Sequence, residues 1–284
     1  MSVQTSMRPV VLVAALAVLT GVGVAYGVGR HAPAAAVNAA PAPPAAVPLP
    51  QAAAASSGAP LDPVSPDEAM RFTDAWQQQP RVNLGIPAGT ASVVIVKFND
   101  WLCGGCKAMH EAYQPLLDRY AKEFPGAVKY VLKDWPWNSR CNFTISQSLG
   151  GHESSCEAAV AVRLARDRGK DAEMEAWLFS HQTSLIQMRL DPGTGAADAI
   201  KAEATSLLGL RPGDFDREFT ARLPAIRQDV ADGAAVHVEV TPTYYVNGIK
   251  TTAPVNPTDG SGGYNLPANY FDLGVRLELK KAGK

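Results

Sequence analysis

Residues 92–98 read Ser-Val-Val-Ile-Val-Lys-Phe, a nearly unbroken β-branched run of the kind found in a central strand covered on both faces. A short loop, residues 99–102, leads from it to Cys103, Gly104, Gly105 and Cys106. From Lys107 onward Met109, Tyr113, Leu116 and Tyr120 recur at spacings of four and three, which is one face of an amphipathic helix. Pro115 lies inside that helix, where its missing N–H predicts a kink. A strand that runs into Cys-x-x-Cys and out into a helix confines the chain to α/β architectures with a thiol at a helix N-terminus. There the unsatisfied backbone N–H groups and the positive end of the helix dipole stabilise a thiolate. The spacing alone also serves zinc sites, so the context carries the reading.

A second motif lies far along the chain. Val240-Thr241-Pro242-Thr243-Tyr244-Tyr245-Val246-Asn247-Gly248-Ile249 reads as a proline opening a strand, an Asn-Gly turn and a second strand. Strand, Cys-x-x-Cys, helix, then Thr-Pro and a hairpin is the thioredoxin-like order. On the stretches at residues 98–110 and 240–248 the chain resembles the DsbA-like thiol-disulfide oxidoreductases, from about Arg81 to the C-terminus. The fold expected is α/β, thioredoxin-like with a helical insertion, preceded by an N-terminal membrane segment and a disordered linker.

Disulfide exchange needs an attacking thiolate, a second thiol to resolve the mixed disulfide and an apolar ledge for a peptide. Cys103, at the helix start, fits the first role; Cys106, one turn inward, fits the second. Neither role needs a metal or organic cofactor, and none is expected. The resemblance implies that the Thr241-Pro242 bond is cis, faces the cysteines and pairs with an extended substrate. Trp101 is a candidate for the ledge, with a packed tryptophan as the other reading. Trp135 and Trp137 either line the groove or pack against the helical insertion.

Two further residues are candidates for tuning the thiols. Family members often carry an acid six residues before the first cysteine and a proline between the two; this chain has Lys97 and Gly-Gly. Lys97 either favours a thiolate as a partly buried cation or packs its stem while its head reaches solvent. His110 falls on roughly the same helix face as Cys103, as a tuning group or as a packed or solvated histidine. The second cysteine pair, Cys141 and Cys156, brackets a polar segment; a disulfide there would close a loop of about 15 residues, worth roughly 3 kcal/mol. A structural disulfide is the favoured reading, and a relaying redox pair or a four-cysteine zinc site are the others. The arrangement resembles a subset associated with membrane quinone reductases of the vitamin K epoxide reductase type.

The rest of the chain is organised around this region. Residues 9–29 carry no charge and are flanked by Arg8 and Arg30, long enough to cross a hydrocarbon core of about 30 Å. Residues 1–30 are read as a signal anchor in preference to a cleaved signal peptide; either exports the remainder of the chain. Residues 31–60 hold 14 Ala and 7 Pro and no Lys, Arg, Asp or Glu, a composition that cannot form a core and favours extended chain. The linker is placed at 31–65 and the folded domain at 66–284. Within it, residues 82–84 are expected as a short edge strand, 127–132 as a strand, about 144–232 as the helical insertion and 267–280 as a closing helix. With 26 basic and 27 acidic residues the chain lacks the basic excess of a nucleic-acid binder.

The expected activity is that of an extracytoplasmic thiol-disulfide oxidoreductase, tethered in the periplasm or cell envelope through residues 9–29. It would oxidise cysteine-containing exported polypeptides and be reoxidised by a membrane quinone reductase of the vitamin K epoxide reductase or DsbB type. A reductase or isomerase of the same fold, and a non-enzymatic binding module, are the alternatives.

Overall fold

The computed structural model describes residues 61–188, 195–251 and 265–284. The anchor and the linker expected at residues 1–60 lie outside them. Among the described residues no helix is long and apolar enough to cross a membrane.

The β-branched run forms β1 (Val93–Asn99), the inner strand of a four-stranded sheet ordered β2-β1-β3-β4. It pairs in parallel with β2 (Val128–Asp134) and antiparallel with β3 (Thr243–Val246), which pairs antiparallel with β4 (Ile249–Lys250). The parallel pair is joined by α2 (Gly104–Glu123), the helix that opens at the cysteines. Because side chains alternate along a strand, Val93 and Ile95 join the larger core with Tyr113, Leu116 and Phe271. Val96 and Phe98 join a smaller core with Val131, Trp135 and Val230. Lys97 shares the face of Val93 and Ile95, and this places a lysine beneath the cysteines.

Asn247 and Gly248, at φ 46° and 81°, make the hairpin turn between β3 and β4, the left-handed pair that a two-residue connection requires. Residues 82–84 do not form the expected edge strand: their one ladder-like bond runs from the Val82 N–H to the Gly248 carbonyl at 3.0 Å. β4 has only two residues, too short a template to align a further strand.

α1 (Pro66–Gln78) starts at Ser65, whose side chain accepts from the Glu68 N–H while Glu68 reaches back to the Ser65 amide, a capping box. It packs on α7 (Ala268–Lys281), where Gly274 leaves room for the Trp76 ring; a Cβ there would lie 2.7 Å from it. Pro115 lies inside α2 and Pro224 inside a later helix, Asp214–Ala235.

Among the described residues four helices separate β2 from β3: α3 (Ser155–Arg166), α4 (Asp171–Met188), α5 (Ala196–Leu208) and α6 (Asp214–Ala235). α3 is their hub, with Ala158 to Val162 all buried and contacts to α4, α5 and α6. A buried charge cluster locks the helices to the sheet. Lys133 on β2 bonds Asp229 at 3.0 Å and Asp232 at 2.6 Å, and Arg163 bonds Asp134 at 2.5 Å and also Asp229. Removing one partner would strand a buried charge, which is why such clusters resist piecemeal change. Cys141 and Cys156 are joined by a disulfide with Cα atoms 6.0 Å apart, clipping the β2–α3 connection to the start of α3.

Candidate active site

Cys103 is the N-cap of α2, in extended conformation, and its carbonyl accepts from the N–H groups of Cys106 at 3.0 Å and Lys107 at 3.2 Å. Its thiol is partly exposed while Cys106 is buried. The Cys103 Sγ lies 3.3 Å from the Thr241 carbonyl, to which the protonated thiol donates. Thr241-Pro242 is cis. Its loop is braced from two sides: Asn265 donates to the Pro242 carbonyl at 2.9 Å, and the Trp137 indole N–H to the Thr241 hydroxyl oxygen at 2.8 Å. The motif glycines differ in surroundings. A Cβ on Gly105 would lie 3.4 Å from Pro242 Cδ, whereas one on Gly104 would meet nothing within 4 Å.

The two thiols have opposite electrostatics. Hydrogen bonding from the Cys106 side chain, reinforced by the Thr241 side chain and the Cys106 N–H, outweighs burial and the Asp100 charge and holds Cys103 at about 6. Burial, then the hydrogen bond and charge of Cys103, push Cys106 well above the ordinary thiol range, against the Lys97 charge. The outer thiol is therefore mostly thiolate at neutral pH and the inner one is protonated.

Lys97 is buried, so the reading in which its head reaches solvent is corrected. Its Nζ donates to the Cys106 carbonyl at 3.4 Å and faces the rings of Tyr244 and Phe179. Burial lowers its pKa, opposed by the charges of Cys106, Glu175 and Cys103. Glu175, on α4, is itself pushed up to about 7 by burial, against Arg166 and Lys97.

Trp101 is not a ledge. It is 1% exposed and packs on Phe179 at 5.2 Å between ring centroids, so a peptide cannot reach it. Trp135 is likewise buried, edge-on to Phe98, and Trp137 is the tryptophan that meets the Thr241 loop. His110 stacks near Phe179 at 5.0 Å; burial, then the Lys97 charge, lower it to about 4. A neutral imidazole supplies no charge to the thiols, and the groups that shift Cys103 and Cys106 are each other, Thr241, Asp100 and Lys97.

Several residues of the site escaped the sequence reading. Gln182 on α4 donates to the carbonyls of Trp101 at 2.9 Å and Cys103 at 3.1 Å, so the helical insertion grips the cysteine loop. Asp100 is buried and accepts from the Leu102 N–H at 2.8 Å, the Trp137 N–H at 2.7 Å and the Ser155 hydroxyl at 2.9 Å, with His152 Nδ1 at 2.8 Å. One cue was present, an acid three residues before Cys103; its partners Trp137, His152 and Ser155 lie too far along the chain for periodicity to reveal. Among the described residues no group of three or more His, Cys, Asp and Glu is placed to hold a metal ion.

The family model described as Thioredoxin matches residues 82–261. This chain belongs to the thioredoxin family. The match includes the cysteine pair, the disulfide, all four helices between β2 and β3, and the Thr241-Pro242 loop. Curated relatives of this thioredoxin-family chain are Na(+)/H(+) antiporters NhaA 1 of Mycobacterium species, strains KMS and JLS, 26% identical over 168 residues. That covers 58% of this chain but only 23% of each antiporter, so the antiporter activity is not carried over. Similar solved structures include alpha-DsbA1 of Wolbachia pipientis, at 13% identity and TM-score 0.48, covering 68% of this chain and 89% of that one. DsbA of Klebsiella pneumoniae is 18% identical with TM-score 0.47, over 72% and 95% of the two chains. BdbD of Bacillus subtilis is 17% identical with TM-score 0.42, over 71% and 97%.

Proposed function

We propose that the protein is a DsbA-like thiol-disulfide oxidoreductase working as a dithiol oxidase on exported polypeptides. The observation that carries this reading is the pairing of a partly exposed Cys103, held at about 6, with a buried, protonated Cys106 beside the Thr241-Pro242 loop. Stabilising the thiolate stabilises the reduced dithiol, which makes the corresponding disulfide the stronger oxidant.

In the oxidising cycle a client thiolate attacks Cys103 Sγ of the Cys103–Cys106 disulfide. The S–S bond breaks, and its electron pair leaves on Cys106, which is protonated. The Lys97 charge acts to lower the Cys106 pKa and so favours departure of the buried leaving sulfur. A second client thiolate then attacks the client sulfur of the mixed disulfide and expels Cys103 as a thiolate. The client is oxidised by two electrons and the Cys103–Cys106 pair is reduced by two. Thr241 and Pro242 offer backbone beside the reacting sulfur for an extended client segment.

Residues 9–29 would tether this domain on the outer side of the membrane through the Ala/Pro-rich stretch, beside a quinone reductase of the vitamin K epoxide reductase or DsbB type that reoxidises the pair. Cys141 and Cys156 would serve as a structural staple. Equilibration with glutathione buffers, with free thiols counted after quenching, tests the direction. An oxidase is expected to lie nearer about −120 mV than the roughly −270 mV of a reductant. A value near the lower figure would replace the oxidase by a reductase.

A further inference from the structure

Asp100 touches every part of the site without bearing a thiol. Its backbone N–H donates to Cys106 Sγ at 3.4 Å and its carbonyl accepts from the Cys103 N–H at 3.2 Å. Its carboxylate holds the Trp137 amide, whose indole braces Thr241, and the start of α3 through His152 and Ser155. Ser155 immediately precedes Cys156, and His152 lies four residues before it; Cys156 is half of the disulfide that clips this segment down. A carboxylate engaged by three other donors is acceptor-only, so His152 Nδ1 is the donor in their contact.

We propose that the buried Asp100–His152 pair is a positioning and charge-balancing element for the exchange site, by which the disulfide-clipped segment sets the reactivity of Cys103. This rests on the reading of Cys103 and Cys106 as the exchanging pair. The Asp100 charge opposes ionisation of Cys103. A protonated His152 cancels that charge. Burial works against its imidazolium, but the Asp100 hydrogen bond and charge, with smaller contributions from Cys103 and Glu153, prevail and raise its pKa. Lys97, from β1 beneath the thiols, adds a positive charge there and is itself opposed by Glu175 of α4. In this arrangement His152 and Cys103 are linked reciprocally: a thiolate at Cys103 strengthens proton binding at His152, and a proton at His152 favours the thiolate.

Two measurements on the full-length chain test this. In the first, Cys103 alkylation by iodoacetamide is followed against pH in the wild type, His152→Gln and the double variant Asp100→Asn, His152→Gln. Glutamine keeps an N–H for Asp100 but carries no charge, so His152→Gln is expected to raise the Cys103 midpoint and slow alkylation at pH 5 about threefold. The double variant, which removes both charges, is expected to recover most of that loss. An unchanged midpoint in His152→Gln, or an equal loss in both variants, overturns the proposal. The second needs no variant: the His152 imidazole, titrated by NMR, should have a higher midpoint with the cysteines reduced than with the disulfide formed. Equal midpoints overturn the linkage. Oxidation of a reduced test peptide by the wild type separates the two claims. A wild type that cannot oxidise it refutes the exchange reading, whereas a competent wild type with unlinked midpoints refutes only the role of the pair.

Discussion

Replacing Cys106 by alanine deletes the largest contribution to the stability of the Cys103 thiolate. Cys103 is held at about 6, well below the ordinary thiol value of 9.0, so the site favours its thiolate by about 4 kcal/mol. The Cys106 side chain ranks first among the donors, ahead of the Thr241 side chain and the Cys106 N–H, and burial and Asp100 act against all three. Alanine keeps the N–H and the helix start but not the S–H, so the midpoint of Cys103 is expected to rise by about one unit or more. Far below the midpoint, alkylation should slow about tenfold per unit, and the more basic sulfur, being intrinsically more nucleophilic, should recover about threefold of that. At high pH, where both proteins are fully ionised, Cys106→Ala should instead react about threefold faster than wild type. The rate–pH curves of the two proteins should therefore cross. Cys106→Ser, which keeps a donor on the same atom position, should stay close to wild type. A Cys106→Ala curve superimposed on the wild type would show that the helix N-terminus and Thr241 set the thiolate alone, and the hydrogen-bond argument would fail.

Other consequences are as direct. Cys103→Ser should abolish peptide oxidation, whereas in Cys106→Ser the Cys103 thiolate can still displace one sulfur of a client disulfide and, with no second thiol to resolve it, should stay joined to the client as a mixed disulfide visible on non-reducing gels; trapping by the first variant would reverse the roles. Gly248→Ala places a Cβ 2.3 Å from the Val82 carbonyl at φ 81° and should cost about 2–4 kcal/mol, read in denaturant melts. Gly89→Ala, at φ 64° in open space, should cost only about 1 kcal/mol; equal losses would remove the steric argument. His110 binds its proton only near pH 4 when folded but near about 6.5 when unfolded. Its contribution to stability is thus intact above that value and lost as the pH falls towards 4, by at most about 3 kcal/mol. His110→Gln should flatten that limb of the stability–pH curve, and an unchanged slope would contradict it. Cys141→Ala with Cys156→Ala should lose about 3 kcal/mol from opening a 15-residue loop yet keep most peptide oxidation; loss of reoxidation without loss of stability would mark the pair as an electron relay.

The order of elements around the site was legible because it is written in short-range patterns. The unbroken β-branched run at residues 92–98, the four-and-three spacing after Cys106 and the Asn-Gly turn each act within a few residues, and together they specify strand, thiols, helix and hairpin. They also locate the thioredoxin-like frame that the family match covers. The edge-strand expectation at residues 82–84 failed for a reason local pattern does not hold. With β4 only two residues long, the sheet offers that segment one bond at the Gly248 turn in place of a ladder.

What only the tertiary structure decided is the environment of each side chain, because burial and charge partners are set by elements distant in sequence. Lys97 and Trp101 have the same neighbours in sequence whether exposed or buried; α4, which brings Phe179 over both and Gln182 onto the Cys103 carbonyl, encloses them. Asp100 gains His152 and Ser155 from 52 and 55 residues away, and the segment that supplies them reads in sequence as a polar loop between two cysteines. The chain alone thus determined which thiols stand at a helix start, and it is on these that the proposed exchange rests. How readily each thiol ionises depends on hydrogen bonds and charges that converge only after the four helices fold back over the sheet, and no periodicity records that convergence.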